Sequence, residues 1–247
     1  MTKSQGLSGA QLKWIALVSM LLDHIGLTLV YMGYVLAHRV DRSAAAMPLY
    51  WTLRTVGRLA FPLYCFLLAE GAAHTRSRGR YLLRLFSFAL LSEIPFDLAF
   101  RRVWLEFGHQ NVYFTLALGL LAVFAMEELR QGSAPRGRRL LCALTALAAP
   151  ALAWALKTDY GAPGVLLIAV LCQLRERPPL RALGGTAVLA LMIPLGSHWI
   201  EILGAAAFFP IGRYNGRRGR QPKILFYLFY PAHLLLLAGL RALIWGL

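Results

Sequence analysis

Apolar segments separated by short basic loops make up almost the whole chain. The segments cover residues 12–36, 51–73, 81–100, 111–128, 139–156, 158–174, 182–196, 199–212 and 223–245. Several of them reach the length of about 20 residues with which a helix crosses a bilayer. The pattern predicts an all-α polytopic membrane protein: a single domain over residues 1–247 with about nine transmembrane helices, some of them short or broken.

The segments 182–196 and 199–212 are short, and only Gly196, Ser197 and His198 lie between the first and the second. They are compatible with two spans made of broken helices or with a re-entrant pair. Neither alternative changes the side of the membrane on which the following loop lies.

The distribution of basic residues predicts the orientation of the chain. With the N-terminus inside, the inner loops hold eighteen Lys and Arg residues, whereas the outer segments hold six. Cytoplasmic loops of membrane proteins carry an excess of Lys and Arg. We therefore expect the N-terminus inside and the C-terminus outside.

Composition agrees with a membrane protein. The chain is 58% hydrophobic and 15% charged, whereas soluble domains carry about 25% charged residues. The net charge of +15 lies in the loops between apolar segments, so we expect the lipid bilayer as a partner and no nucleic acid. Cys65, Cys142 and Cys172 lie in or at the end of apolar runs without metal-ligand spacing, so we expect no metal.

Asp23 and His24 lie in the middle of the first apolar segment. An Asp at the centre of a spanning helix costs about 2.5–3.5 kcal/mol, and such residues are functional candidates by default. Lys13 precedes His24 by eleven residues, a spacing that places the two on one helix face within about 20°. Asp23 points about 100° away from His24, which favours an orienting or ion-pairing role for its carboxylate.

Two further pairs of ionisable residues have helical i,i+4 spacing. Arg54 and Arg58 share a face of the second segment, and Glu93 and Asp97 share a face of the third. Their depths match, which predicts the pairs Arg54–Asp97 and Arg58–Glu93. The pairs are either structural or line a polar substrate pocket, which Pro95 would widen by breaking the helix ladder.

His233 lies in the last segment at the estimated depth of His24. The two histidines could share a cavity, or His233 could bond a carbonyl freed by Pro231. The last inner loop, RYNGRRGRQPK, has five basic residues around an Asn-Gly turn. Its guanidinium groups and backbone amides could hold a phosphorylated group, or its charges could serve topology alone.

Seven sequence segments, which extend over roughly residues 12–237, resemble the TraX family in order and spacing: LKWIALVSMLLDHIG, LRTVGRLAFPLYCFLLAEG, HTRSRGRYLLRLFSFALLSEIPFDLAF, NVYFTLALGLLA, DYGAPGVLLI, YNGRRG and LFYLFYPAHLLLL. The resemblance implies an acetyltransferase of the bacterial inner membrane that uses acetyl-CoA and acetylates the amino terminus of a conjugative pilin. It also implies a relation to transmembrane acyltransferases that modify surface polysaccharides, so the expected acceptor is a pilin or a surface glycan.

The wider superfamily has an Arg, ten residues and then a His in its first helix. Lys13 and His24 match that pair, with Lys in place of Arg. Because Lys lacks the bidentate fork of Arg, a role for Lys13 as a membrane-surface anchor stays open.

Acyl transfer needs a base for the proton of the acceptor and hydrogen-bond donors for the oxyanion. On the resemblance, we expect His24 to be the base, assisted by Asp23 or a water. The expected pocket for the oxyanion or an acidic acceptor is formed by Arg54, Arg58, Glu93, Asp97 and His233. The expected acetyl-CoA site is formed by Lys13, Arg213, Tyr214, Asn215, Arg217 and Arg218. The alternatives are a proton-coupled transporter or flippase and a non-catalytic assembly factor for a surface appendage.

Overall fold

A computed structural model describes residues 6–36, 40–132, 135–220 and 222–246, and the side chains of residues 40–43 and 223 are not described. Lys3 and Arg39, which enter the charge count, lie outside the described residues. The described chain is built of helices, and its β-structure is limited to two isolated bridges, Leu7–Tyr214 and Gln110–Thr158. The all-α prediction is confirmed.

The first apolar segment is α1 (Gly9–Ile25), which continues without a break as a π-helix (Gly26–Val35). A capping box starts α1. The Ser8 hydroxyl accepts a hydrogen bond from the Gln11 N–H, and the Gln11 side chain accepts one from the Ser8 N–H at 2.8 Å.

The remaining helices follow the predicted segments, except that α2 begins eleven residues before the segment 51–73. They are α2 (Val40–Gly57), α3 (Ala60–Ala73), α4 (Arg78–Phe100), α5 (Val112–Gln131), α6 (Arg136–Ala155), α7 (Gly161–Gln173), α8 (Pro178–Met192), a 3₁₀-helix (Trp199–Ala207), α9 (Phe208–Gly212) and α10 (Lys223–Trp245).

Five helical stretches among the described residues are long and apolar enough to cross a membrane: Gly9–Val35, Ala44–Ala73, Val112–Gln131, Arg136–Ala155 and Ile224–Trp245. Gly161–Gln173 and Trp199–Gly212 are shorter apolar helices. The chain is a multi-pass membrane protein, as its sequence predicts. The number of spans and the orientation stay predictions.

The structure differs from the sequence-based expectation at Pro95 and within the segment 51–73. We expected Pro95 to break its helix, but α4 continues through it, because a proline removes one bond of the ladder and leaves its neighbours in place. The predicted segment 51–73 is instead two helices, since α2 ends at Gly57 and α3 begins at Ala60. At this break the Arg58 guanidinium Nε donates to the carbonyl of Arg54.

Two compact units are present. The first comprises the described residues of 1–64, 91–106 and 198–247, and the second those of 65–90 and 107–197. In the first unit α1 and the π-helix pack against α2 and α10. In the second unit α5 packs against α6 and α7, and Gly119 allows α5 to approach α7, because a Cβ there would lie 2.3 Å from Ile168 Cδ1.

Candidate functional site

A pair of histidines joins the first and the last long helices within the first unit. His24 Nδ1, near the end of α1, lies 2.6 Å from His233 Nε2 on α10. The two imidazole rings are parallel within 1°, with centroids 4.9 Å apart. The two histidines are therefore in direct contact, as their equal estimated depths allow; a shared cavity stays a prediction.

The second nitrogen of His233 fixes the tautomers of the pair when both rings are neutral. His233 Nδ1 lies 2.6 Å from the carbonyl oxygen of Phe229, which accepts only, so Nδ1 carries the proton. His233 Nε2 must then accept a hydrogen bond from His24 Nδ1–H. His24 Nε2 is then the one ring nitrogen of the two histidines that keeps a lone pair for another group. His24 is partly exposed, whereas His233 is buried.

The carbonyl that accepts the hydrogen bond from His233 is not the one that loses its donor because of Pro231. In an α-helix the N–H of residue i bonds the carbonyl of residue i−4, so Pro231 leaves the carbonyl of Tyr227 without that donor. His233 bonds Phe229 instead. The alternative explanation of His233 as a helper of the proline kink is therefore wrong.

Aromatic rings surround the histidine pair. Phe100, the last residue of α4, packs edge-on against His24 with centroids 5.2 Å apart. Tyr230 lies edge-on to both imidazoles, 6.1 Å from His24 and 5.8 Å from His233. These contacts restrict the rotation of both rings, so the hydrogen-bonded geometry is held from several sides.

Asp23 faces away from the histidines and forms ion pairs. Its carboxylate accepts hydrogen bonds from Arg54 Nη1 at 2.5 Å and from Arg58 Nη2. Arg58 Nη1 continues the network to Glu201 Oε1 at 2.5 Å. The ion-pairing role that the helical angle favours for Asp23 is confirmed, and the structure gives no support to Asp23 as a direct partner of His24.

The predicted pairing of Arg54 with Asp97 is wrong, because Arg54 pairs with Asp23. Arg58 pairs with Asp23 and Glu201, and its pairing with Glu93 stays a prediction. The prediction compared only the depths of residues on the second and third segments. Asp23 lies on α1, so that comparison could not identify it as the partner of the two arginines. Glu201, in the 3₁₀-helix, is the partner that sequence reasoning missed. In the sequence, the one indication of this role is the position of a carboxylate within an apolar segment.

Asp97 and Glu93 are buried on the same stretch of α4. Asp97 closes the end of that helix: its Oδ2 accepts a hydrogen bond from the Glu106 N–H at 2.7 Å, and its carbonyl accepts from Arg101 and Arg102. This is a structural role in the turn after α4. The pocket role predicted for Asp97 and Glu93 stays a prediction.

The two arginines of the network differ in their remaining donors. Arg58 donates from Nε to Arg54, from Nη1 to Glu201 and from Nη2 to Asp23. Arg54 donates from Nη1 to Asp23, whereas its buried Nε has no hydrogen-bond partner among the described residues. The Nε–H of Arg54 is therefore a buried donor that stays available for another group.

Arg241 is a further functional candidate that sequence reasoning missed. It is 2% exposed on α10, and its guanidinium donates to the carbonyls of Leu98 at 2.8 Å and Ala99 at 2.5 Å. A cation favours the carbonyl end of a helix, so Arg241 fixes the end of α4, which carries Phe100. In the sequence, Arg241 stands out only as a basic residue near the C-terminus that belongs to the six outer charges.

The loop after α9 wraps the start of α1. The Leu7 N–H donates to the carbonyl of Arg213, and the Asn215 N–H donates to the carbonyl of Leu7. The carbonyls of Arg217 and Arg218 accept from the N–H groups of Gly9 and Ala10, which belong to the first turn of α1.

Several loop groups expected to hold a phosphate are therefore occupied. Asn215 binds the Gly6 carbonyl through Nδ2 and the Arg217 N–H through Oδ1, and the backbone N–H groups of Arg213 and Tyr214 donate within the protein. These groups hold the turn itself together, and the acetyl-CoA site stays a prediction. The side chains of Arg213, Arg217 and Arg218 are exposed.

Lys13 lies on α1, and its Nζ is 5.3 Å from the ring centroid of Phe226 on α10. This cation–π contact holds the ammonium against the apolar start of the last helix. Among the described residues, no group of three or more His, Cys, Asp and Glu residues is placed to ligate a metal ion.

The fold and this site define a multi-pass α-helical membrane protein with a hydrogen-bonded histidine pair beside a buried charge network. The chain belongs to the TraX family, whose model, described as "TraX protein", matches residues 8–241. It is 33% identical over 265 aligned residues to a protein of Dichelobacter nodosus named "Probable fimbrial assembly protein FimC, serogroup H1", with 98% of each chain covered. No solved structure matches the chain.

Proposed function

We propose that this protein is a membrane-embedded acetyltransferase that moves an acetyl group from acetyl-CoA to an amine or hydroxyl of a surface-appendage subunit or glycan. Membership of the TraX family supports the class of reaction, and the printed name of the Dichelobacter nodosus relative supports an acceptor connected with fimbriae. The bacterial inner membrane is the proposed location.

The observation that carries the proposal is the histidine pair. The Phe229 carbonyl orients His233, and His233 in turn leaves the lone pair of His24 on Nε2. A base whose orientation is fixed by a second group is the arrangement that general-base catalysis needs. His24 keeps a small exposed surface, and the proposal places the acceptor there.

The transfer proceeds in two steps. The acceptor N–H or O–H attacks the thioester carbonyl carbon and forms the new C–N or C–O bond while His24 Nε2 takes its proton. The C–S bond then breaks, and the departing thiolate of CoA receives that proton. Arg54 is the proposed donor to the oxyanion of the tetrahedral intermediate, because its Nε is the donor left over from the charge network.

The phosphates of acetyl-CoA would be held by the exposed side chains of Arg213, Arg217 and Arg218 rather than by the backbone of their loop. Guanidinium groups suit phosphate through bidentate hydrogen bonds. If this docking is correct, the double variant Arg217→Ala/Arg218→Ala weakens the apparent affinity for CoA. An unchanged affinity would show that CoA docks elsewhere.

The activity is tested by incubating the purified protein with radiolabelled acetyl-CoA and membranes of the same cell. The proposal predicts label in a protein or glycan fraction, and the labelled fraction identifies the acceptor. A preparation that transfers no label to protein, lipid or glycan would refute the proposed activity.

A non-catalytic role in appendage assembly is the second candidate, because the relative is named an assembly protein. An assembly factor would co-purify with appendage subunits and would retain its function when His24 is replaced. A proton-coupled transporter or flippase is distinguished by CoA, which should raise the melting temperature of an acetyltransferase and leave that of a transporter unchanged.

A further inference from the structure

The second unit contains a cavity that the proposed acetyl transfer does not use. Its volume is about 560 Å³, and its walls include Glu127, Arg130, Cys172, Arg175 and Arg177. It lies where α5 and α7 end and before α8 begins. Small-molecule sites commonly have volumes of about 300–1,000 Å³, so this cavity has room for a ligand.

The acidic groups at the cavity already have cationic partners. Glu127 pairs with Arg78 at 2.9 Å, and Glu70 pairs with Arg175 at 2.9 Å. The hydrogen bond that Arg175 donates to Glu70 raises the pKa of its guanidinium, so Arg175 stays charged. The carboxylate of Glu176 is 88% exposed at the rim and lies 3.7 Å from Arg175.

Two arginines in the cavity wall have no carboxylate partner among the described residues. Arg130 donates to the neutral amide oxygen of Gln173 at 2.7 Å, and Arg177 forms no side-chain hydrogen bond or ion pair with the described part of the chain.

Each helix end counts for about half an elementary charge, so the carbonyl ends of α5 and α7 offset about one of the two positive charges. Glu70 and Glu176 share Arg175. The nearby charge of Arg181 balances the second carboxylate. An excess of about one positive charge therefore remains.

We propose that this cavity binds a phosphate-bearing ligand, with Arg130 and Arg177 as the groups that hold the phosphate. Guanidinium groups form paired, charge-assisted hydrogen bonds with phosphate oxygens. Such a phosphate can belong to a soluble phosphorylated compound or to the headgroup of an anionic phospholipid. The site is separate from the residues proposed to dock acetyl-CoA.

The test measures the thermal unfolding of the purified full-length protein in neutral detergent with two probes, inorganic pyrophosphate and phosphatidylglycerol in mixed micelles. Sodium chloride at matched ionic strength is the reference for pyrophosphate. We expect at least one probe to raise the melting temperature. Stabilisation by pyrophosphate indicates a soluble ligand, and stabilisation by phosphatidylglycerol alone indicates a lipid headgroup.

The variant Arg130→Gln/Arg177→Gln should weaken the apparent affinity for the stabilising probe by at least about tenfold. This is the effect expected from the loss of one or more charge-assisted hydrogen bonds. Arg136→Gln removes one exposed charge at the start of α6 and should leave the affinity unchanged. Arg217→Gln/Arg218→Gln separates this site from the proposed acetyl-CoA site: stabilisation that this variant keeps and Arg130→Gln/Arg177→Gln loses belongs to the cavity.

The single variant Arg177→Gln provides a second check, because this side chain is exposed and forms no hydrogen bond or ion pair among the described residues. It should also weaken the binding. The proposal is overturned if neither probe stabilises the wild-type protein, or if the stabilisation survives both the single and the double substitution.

Discussion

At the residue scale, the site consists of two separate sets of contacts made by neighbouring positions. His24 bonds His233, whereas Asp23 bonds Arg54 and Arg58. Helical geometry predicted this division, because adjacent residues point about 100° apart. The estimated depths predicted the histidine contact, but they could not identify the partners of the arginines, because pairing depends on which helices touch.

The hydrogen bond between His24 and His233 predicts the effect of replacing His233. His233→Phe keeps a ring of similar shape but removes the acceptor for His24 Nδ1–H, so His24 can place its proton on either nitrogen. We expect the kcat of acetyl transfer to fall by about tenfold or more with a smaller change in KM for acetyl-CoA.

The control is His233→Gln, whose side-chain amide retains a hydrogen-bond acceptor and should recover part of the rate. Steady-state kinetics over a range of pH values measures both variants. A His233→Phe enzyme with the kcat and pH profile of the wild type would show that the second histidine does not orient the first.

At the element scale, the first helix changes its character immediately after His24. The ten residues Gly26–Val35 form a π-helix, a geometry that is rare and frequently found at functional sites. The Thr28 hydroxyl donates to the carbonyl of His24 at 2.6 Å at this junction. The sequence could not predict the π-helix, because a uniformly apolar segment shows no periodicity that separates it from an α-helix.

The packing of α1 on α2 depends on glycine at the end of α2. A Cβ on Gly57 would lie 2.3 Å from the Cβ and Oδ1 atoms of Asp23, so Gly57→Ala must displace the carboxylate that Arg54 and Arg58 bind. We expect the variant to be less stable by about 1–3 kcal/mol, measured by thermal unfolding in detergent.

Gly79→Ala is the matched control, because a Cβ at Gly79 has nothing within 4 Å and alanine favours the helix. It should leave the stability unchanged or raise it slightly. Equal stabilities of the two variants would contradict the close contact between α1 and α2.

At the scale of the whole molecule, the apolar pattern predicted the fold class and nearly all helix positions. It did so because each span must bury an apolar surface in lipid and satisfy its own backbone hydrogen bonds. The break between Gly57 and Ala60 and the 3₁₀-helix Trp199–Ala207 were less predictable, since both arise from local contacts within a continuous apolar segment.

The charge distribution makes a prediction about the orientation of the whole chain. The N-terminus should lie in the cytoplasm and the C-terminus on the opposite side, because the basic loops stay inside. Reporter fusions that are active on one side only measure this at each terminus. Both termini on one side would contradict the predicted parity of the spans.

The central claim is that His24 accepts the proton of the acceptor during acetyl transfer. The most direct measurement compares the transfer of label from radiolabelled acetyl-CoA by wild-type protein, His24→Ala and His74→Ala, a variant that loses an exposed histidine of the second unit. The account predicts that His24→Ala loses transfer by about 10²-fold or more, while His74→Ala retains it. Transfer by His24→Ala at the wild-type rate would contradict the account.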